Sequence, residues 1–172
     1  YAASLELNRC TFIQNLAEGA FVTGCDEAQI RQCLFAGNQA NGRCYGMLFV
    51  RTAGTIANCT IVGNRATSLG IIAAAYALEP VVVTNCILRD NICLDSYGRS
   101  IAGYFQTSVG YCNVPVFPEL QLFVTEPSGN IDVDPLFADP GYWDPNGTPD
   151  DPNDDFFVEG DYHLKSQAGR WD

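Results

Sequence analysis

Apolar and polar residues recur along this chain in blocks too short for helices and too regular for chance. Four segments align without gaps: Asn8-Arg-Cys-Thr-Phe-Ile-Gln-Asn15, Arg31-Gln-Cys-Leu-Phe-Ala-Gly-Asn38, Ala57-Asn-Cys-Thr-Ile-Val-Gly-Asn64 and Thr84-Asn-Cys-Ile-Leu-Arg-Asp-Asn91. In each, Phe, Ile or Leu follows the Cys by two residues and Asn follows it by five; Leu7, Ile30, Ile56 or Val83 precedes it by three. Val109-Gly-Tyr-Cys112-Asn-Val114 is a fifth copy that lacks the Asn. Successive Cys lie 23, 26, 27 and 26 residues apart. Apolar residues two apart fit a strand with one face inward, and the break in alternation before the Cys predicts a bend there. Each repeat has a second short apolar stretch, at Gly19–Val22, Gly46–Val50, Gly70–Ala74 and Ile101–Phe105. No helix start and stop signals frame a long segment. Short strands recurring every ~25 residues predict an all-β parallel β-helix, a solenoid of about five to six coils.

In such a fold, equivalent residues of successive coils stack into ladders. Cys10, Cys33, Cys59, Cys86 and Cys112 are expected to form an inward ladder of small, soft side chains. Phe12, Phe35, Ile61, Leu88 and Val114 are expected beside it. Asn15, Asn38, Asn64 and Asn91 should form a ladder at a turn, because Asn tolerates left-handed backbone and stacked amides bond to one another. Paired strands lie ~4.8 Å apart, within disulfide reach, but parallel Cβ vectors favour free buried thiols over ladder disulfides. Cys25, Cys44 and Cys93 fall outside the ladder.

Charge divides the chain. Its 172 residues carry a net charge of −11 and suit one domain. Residues 1–129, the expected coils, hold nine acids and seven bases, whereas Asn130–Asp161 holds ten acids and no Lys or Arg. Residues 130–172 therefore read as an acidic, Pro- and Gly-rich closing segment, irregular and packed against the last coil. One Lys and scattered Arg exclude a nucleic-acid-binding surface. The longest uncharged apolar run, Gly70–Leu78, is far short of a membrane span. A chain beginning at Tyr1 rather than Met reads as part of a longer precursor.

Candidate chemistry is sparse. The single His, His163, and the absence of Gly-x-Ser-x-Gly leave no Ser–His–Asp machine. The outward neighbours of the Cys ladder, from Arg9 and Thr11 to Tyr111 and Asn113, include no carboxylate. Asp132 and Asp134 share one side of an extended segment, but Asp-x-Asp-Pro reads as a turn. Arg89 and Asp90 suggest an exposed ion pair of little worth. Zinc is disfavoured without Cys-x-x-Cys. Asp144, Asn146, Asp150, Asp151, Asn153, Asp154 and Asp155 set hard oxygen ligands around Gly147 and make Ca²⁺ a candidate ligand, although three Pro interrupt the loop and no Glu closes it. Tyr142 and Trp143 are the candidate stacking platform for a polysaccharide or cell-surface glycan. Asn58-Cys-Thr60 and Asn146-Gly-Thr148 match the weak N-glycosylation pattern.

The four Cys-x-apolar-x-x-Asn units resemble the right-handed parallel β-helix proteins of the pectate-lyase-like superfamily. More narrowly, they look like large secreted bacterial proteins with polymorphic outer-membrane-protein repeats, abundant in planctomycete-like genomes. Gly129–Pro140 and Asp161-Tyr-His-Leu-Lys165 match the closing segment of such proteins. The resemblance implies a right-handed helix and an extracellular or cell-surface setting, and it leaves activity open because the fold hosts lyases, hydrolases, adhesins and shafts. The leading expectation is a non-enzymatic shaft, adhesin or filament subunit that associates end to end. The alternatives are a fragment of a polysaccharide lyase or hydrolase, or a Ca²⁺-dependent carbohydrate-binding module.

Overall fold

A computed structural model describes residues 4–17, 21–23, 27–40, 48–50, 53–66, 71–74, 81–93, 101–103, 107–115 and 124–165. Among these residues every regular element is a β-strand. The first repeat comprises β1 (Ser4–Asn8), β2 (Thr11–Ile13), β3 (Leu16–Ala17) and β4 (Phe21–Thr23). The second comprises β5 (Glu27–Arg31), β6 (Leu34–Ala36), β7 (Gln39–Ala40) and β8 (Leu48–Val50). The third comprises β9 (Ala53–Ala57), β10 (Thr60–Val62), β11 (Arg65–Ala66) and β12 (Ile72–Ala74). The fourth comprises β13 (Val81–Thr84), β14 (Ile87–Arg89), β15 (Ile92–Cys93) and β16 (Ile101–Gly103). Then follow β17 (Thr107–Gly110), β18 (Val124–Ser128), β19 (Phe137–Asp139), β20 (Tyr142–Asp144), β21 (Phe156–Val158) and β22 (Asp161–Leu164).

Like strands of successive repeats pair in parallel. One sheet has six strands, β1-β5-β9-β13-β17-β18, and three have four: β14-β10-β6-β2, β15-β11-β7-β3 and β16-β12-β8-β4. The registers join Leu7, Ile30, Ile56, Val83 and Val109 in one row, and Phe12, Phe35, Ile61 and Leu88 in another. The expected alignment of repeats is thus the observed strand pairing. Apolar side chains of these rows fill the core with Cys33, Cys59, Cys86 and Cys112. Each fully buried Ile or Leu contributes about 1.5–3 kcal/mol relative to exposure. The short strand after each Asn (β3, β7, β11 and β15) is too brief to show in the hydrophobic pattern.

Two corners recur in each of the first four repeats. The residue before each Cys is left-handed: Arg9, Gln32, Asn58, Asn85 and, in the fifth copy, Tyr111, all with φ of 52–55°. The bend expected there is present. The second corner corrects an expectation. The ladder Asn is not the left-handed residue; the one before it is, namely Gln14, Gly37, Gly63 and Asp90. The Asn side chain is needed for hydrogen bonds, not for its tolerance of unusual φ.

The closing segment departs further from expectation. It forms two antiparallel pairs, β19 with β22 and β20 with β21, rather than irregular chain. It also packs on the outer face of the sheet β14-β10-β6-β2 in the middle of the stack, rather than only against the last coil. Phe137 and Phe157 bury themselves there against Ala36 and Val62, with Ile13, Leu34, Ile87, Trp143 and Tyr162 around them. The strap requires glycine in the central repeats: a Cβ on Gly37 or Gly63 would stand 2.0 or 2.5 Å from the Phe157 ring.

Candidate functional site

The stack contributes two ladders. In the sulfur ladder, Cys59, Cys86 and Cys112 donate to Ala57, Thr84 and Gly110 carbonyls at 3.2–3.3 Å. The backbone N–H groups of Cys59 and Cys86 donate to the next sulfurs, of Cys86 and Cys112, at 3.4 Å. Cys10, Cys33, Cys59, Cys86, Cys93 and Cys112 are all free thiols, while Cys25 and Cys44 lie outside the described residues. Burial pushes the Cys33 thiol above its ordinary value. Hydrogen bonding to the Cys112 and Cys59 sulfurs, together with burial, does the same to Cys86. Hydrogen bonding with Cys86 moves its two neighbours the other way, Cys59 down to about 7 and Cys112 below its ordinary value, so the ladder thiols share protons along the row.

In the amide ladder, the N–H and Nδ2 of Asn15, Asn38 and Asn64 both donate to the Oδ1 of the next Asn, at 2.8–3.0 Å. Nδ2 of Asn38, Asn64 and Asn91 also donates back to the carbonyls of Phe12, Phe35 and Ile61, at 2.8–2.9 Å. Buried amides cost little when every donor and acceptor is filled in this way.

The acidic residues expected to hold Ca²⁺ are mostly turned to their own chain. Asp144 accepts from the Asn146 N–H, Asp151 from the N–H and Nδ2 of Asn153, and Asp154 from the Thr148 hydroxyl. The two bonds from Asn153 hold the Asp151 carboxyl below the ordinary carboxylate range. Asp155 leaves the group altogether and pairs with Arg65 at 2.6 Å. Asp150 is exposed. Among the described residues, no three acidic, His or Cys side chains gather as a metal would require.

Trp143 is not the free platform expected beside Tyr142. Its Nε1 donates to Gly63 O at 2.7 Å, the Arg65 guanidinium lies 3.9 Å over the ring, and Phe157 meets it edge-on. Tyr142 remains exposed. Arg89 also differs from expectation: it pairs with Asp132 at 2.7 Å, not with Asp90, and donates to Asn113 Oδ1 and Val133 O.

The strap also creates a groove that no motif announced. One wall is the outward row Arg9, Thr11, Gln32, Leu34, Asn58 and Thr60; the other is Glu159–His163. The cavity measures about 530 Å³. Left-handed corners place Arg9, Gln32 and Asn58 on one row at one-repeat spacing, and Arg9 Nε donates to Gln32 Oε1 at 3.2 Å. On the strap, Asp161 accepts from the His163 N–H at 3.1 Å and lies 2.5 Å from its Nδ1. Those bonds lower the Asp161 carboxyl. A second, more apolar cavity is lined by Asn85, Tyr111, Ile131, Val133, Pro135 and Leu164. Nothing in the spacing of residues 9–60 pointed to residues 159–163, because only the fold brings them together.

Comparison with protein-family models, with curated proteins and with solved structures returned no match.

Proposed function

We propose that this chain is a non-enzymatic, right-handed parallel β-helix module serving as an extracellular or cell-surface shaft. One observation carries the reading: like residues occupy like places on four parallel sheets, repeat after repeat. Such a stack is extensible by unit additions of about 4.8 Å each. The free thiols and self-satisfied amides make its interior a scaffold rather than a reaction centre. The bacterial, secreted setting comes from the family resemblance alone. Two measurements test the proposal together: amide exchange should be slowest in β5, β9 and β13, the inner strands of the six-stranded sheet, and incubation with a panel of neutral and acidic polysaccharides should release no new ends. Bond cleavage in any of them would replace it with the lyase or hydrolase reading.

The groove favours a second role on the same shaft. Arg9, Gln32 and Asn58 repeat along it at a spacing of about 4.8 Å, close to one sugar unit, and they donate and accept hydrogen bonds without a strong net charge. Glycan binding therefore belongs here rather than at Trp143. Glycan-array binding lost in Gln32→Ala/Asn58→Ala but kept in Tyr142→Ala supports this assignment; the reverse pattern returns it to Tyr142.

A further inference from the structure

An Asn side chain and the backbone nitrogen of the next residue are a reactive pair when both are free, because that nitrogen can close a five-membered ring on the side-chain carbonyl carbon. The stack withholds both partners. Nδ2 of Asn38, Asn64 and Asn91 is bonded at 2.8–2.9 Å. The nitrogens that follow, on Gln39, Arg65 and Ile92, donate to the carbonyls of Asn15, Asn38 and Asn64 at 2.8–2.9 Å. Asn58 and Asn85 precede Cys59 and Cys86, whose N–H groups are engaged by the next sulfurs. Asn130 stands where a sixth ladder Cys would. Its Oδ1 accepts from the Cys112 N–H at 2.9 Å, and the Ile131 nitrogen after it donates to Cys112 O at 2.9 Å.

The strap leaves one such pair open. Residues 145–155 join β20 to β21, and Pro145-Asn-Gly-Thr148 turns there on positive φ, 51° at Asn146 and 80° at Gly147. The Thr148 N–H closes the turn on Pro145 O at 2.8 Å. Two positive central φ values are the geometry that Asn-Gly favours. Asn146 and Gly147 are both exposed. Neither the Asn146 side chain nor the Gly147 N–H has a hydrogen-bond partner among the described residues. A Cβ on Gly147 would meet nothing within 4 Å. Glycine also rotates where other residues are blocked, so its nitrogen reaches the side chain for the loss of a single turn bond. Asn153, the other Asn of this loop, is instead tied to Asp151 through its N–H and Nδ2 at 3.1 and 2.7 Å.

We infer that Asn146 is a self-modification site, converted by intramolecular attack of the Gly147 nitrogen into isoaspartate and aspartate. Hydroxide takes the Gly147 amide proton, and the nitrogen bonds to Asn146 Cγ. The Cγ–Nδ2 bond breaks and ammonia leaves, giving a cyclic imide. Water then adds to either imide carbonyl and opens the ring, so the whole change consumes water, releases ammonia and involves no oxidant. The product adds a negative charge to a segment that already holds ten acids and no Lys or Arg. Isoaspartate also lengthens the backbone by one carbon, which the Pro145–Thr148 turn does not accommodate. The strap thus acquires a slow, irreversible mark of the molecule's age, and the stack does not.

The test incubates the intact protein in buffer at pH 7 and pH 9 and maps its peptides by mass spectrometry, with fragmentation that separates isoaspartate from aspartate. Asn146 should show the amide-to-acid mass gain, with isoaspartate present and a faster rate at pH 9. Asn38, Asn64, Asn91 and Asn153 should remain amides over the same time. Asn146→Gln, which would need a larger ring, should lose the change at that position, and Gly147→Ala should slow it severalfold. The reading is made residue by residue, so Asn41, which precedes Gly42 outside the described residues, does not enter it. An unchanged Asn146, aspartate without isoaspartate, a rate indifferent to pH, or ladder amides that convert as fast would each overturn the inference.

Discussion

The repeat stack and the C-terminal strap are held by opposite kinds of contact. In the stack, a residue meets its own equivalent one repeat away: Phe12 lies flat on Phe35 at 4.8 Å, and Asn38 bonds Asn64 as Asn64 bonds Asn91. In the strap, each contact occurs once: Phe157 over Gly37 and Gly63, Trp143 to Gly63, Arg65 to Asp155. Translation spreads stability over every rung, so one lost rung contact propagates to two neighbours. A unique contact concentrates stability in a few side chains, so its loss frees the strap and spares the stack. The stack is therefore the rigid part, and the strap is the part that can open by itself.

Substitutions can break this comparison. The largest effect is expected at Asn64, whose side chain is fully buried and bonds both neighbours. Asn64→Ala strips the acceptor from Asn38 and the donor from Phe35 O, for roughly 3 kcal/mol or more, whereas Asn15→Ala, at an exposed residue whose side chain gives one bond to Asn38, costs about 1 kcal/mol. Denaturant unfolding of the two variants reads the difference, and equal losses would show that the ladder does not transmit between rungs. Phe157→Ala should cost about 3 kcal/mol. Here hydrogen exchange is the telling measurement: β20–β22 should speed up while β6 and β10 stay slow. Uniform acceleration would make strap and stack one cooperative unit.

Next comes the latch. Arg65 and Asp155 are largely buried, with side chains 15% and 10% exposed, and the guanidinium also covers Trp143. Arg65→Met should cost about 1–2 kcal/mol and raise Trp143 fluorescence quenching by added iodide; unchanged quenching would mean the indole is held without the cation. A smaller effect follows pH. Burial raises the Cys33 thiol, so folded Cys33 keeps its proton where the unfolded thiol has lost it. Its contribution is complete below the unfolded value of about 8.5 and is lost as pH rises from there through the folded value. The melting-temperature advantage of wild type over Cys33→Ala should hold from pH 6 to 8 and shrink by pH 10, by an amount that a constant difference would refute. Smallest of all, millimolar Ca²⁺ should leave the melting temperature unchanged, because Asp144, Asp151, Asp154 and Asp155 are engaged internally; a rise of several degrees would restore the loop as a Ca²⁺ site.

The sequence by itself determined the stack. A translational repeat writes its register into the chain: Cys33, Cys59 and Cys86, or Asn38, Asn64 and Asn91, recur at near-constant spacing because each contacts its own kind, so aligning the segments is already pairing the strands. Part of the strap was also legible in retrospect, since Gly precedes the ladder Asn only at Gly37 and Gly63, the two rungs that Phe157 covers. The rest was decided by the tertiary structure. That Asp155 would leave the acidic loop for Arg65, that Trp143 would be enclosed, that His163 would face Arg9 across a groove, and that Asn130 would stand in for a cysteine all depend on where an unrepeated segment lands. Such contacts join residues up to ninety positions apart or more and occur only once. A pairing that occurs once leaves no periodic trace, and only the folded chain reveals it.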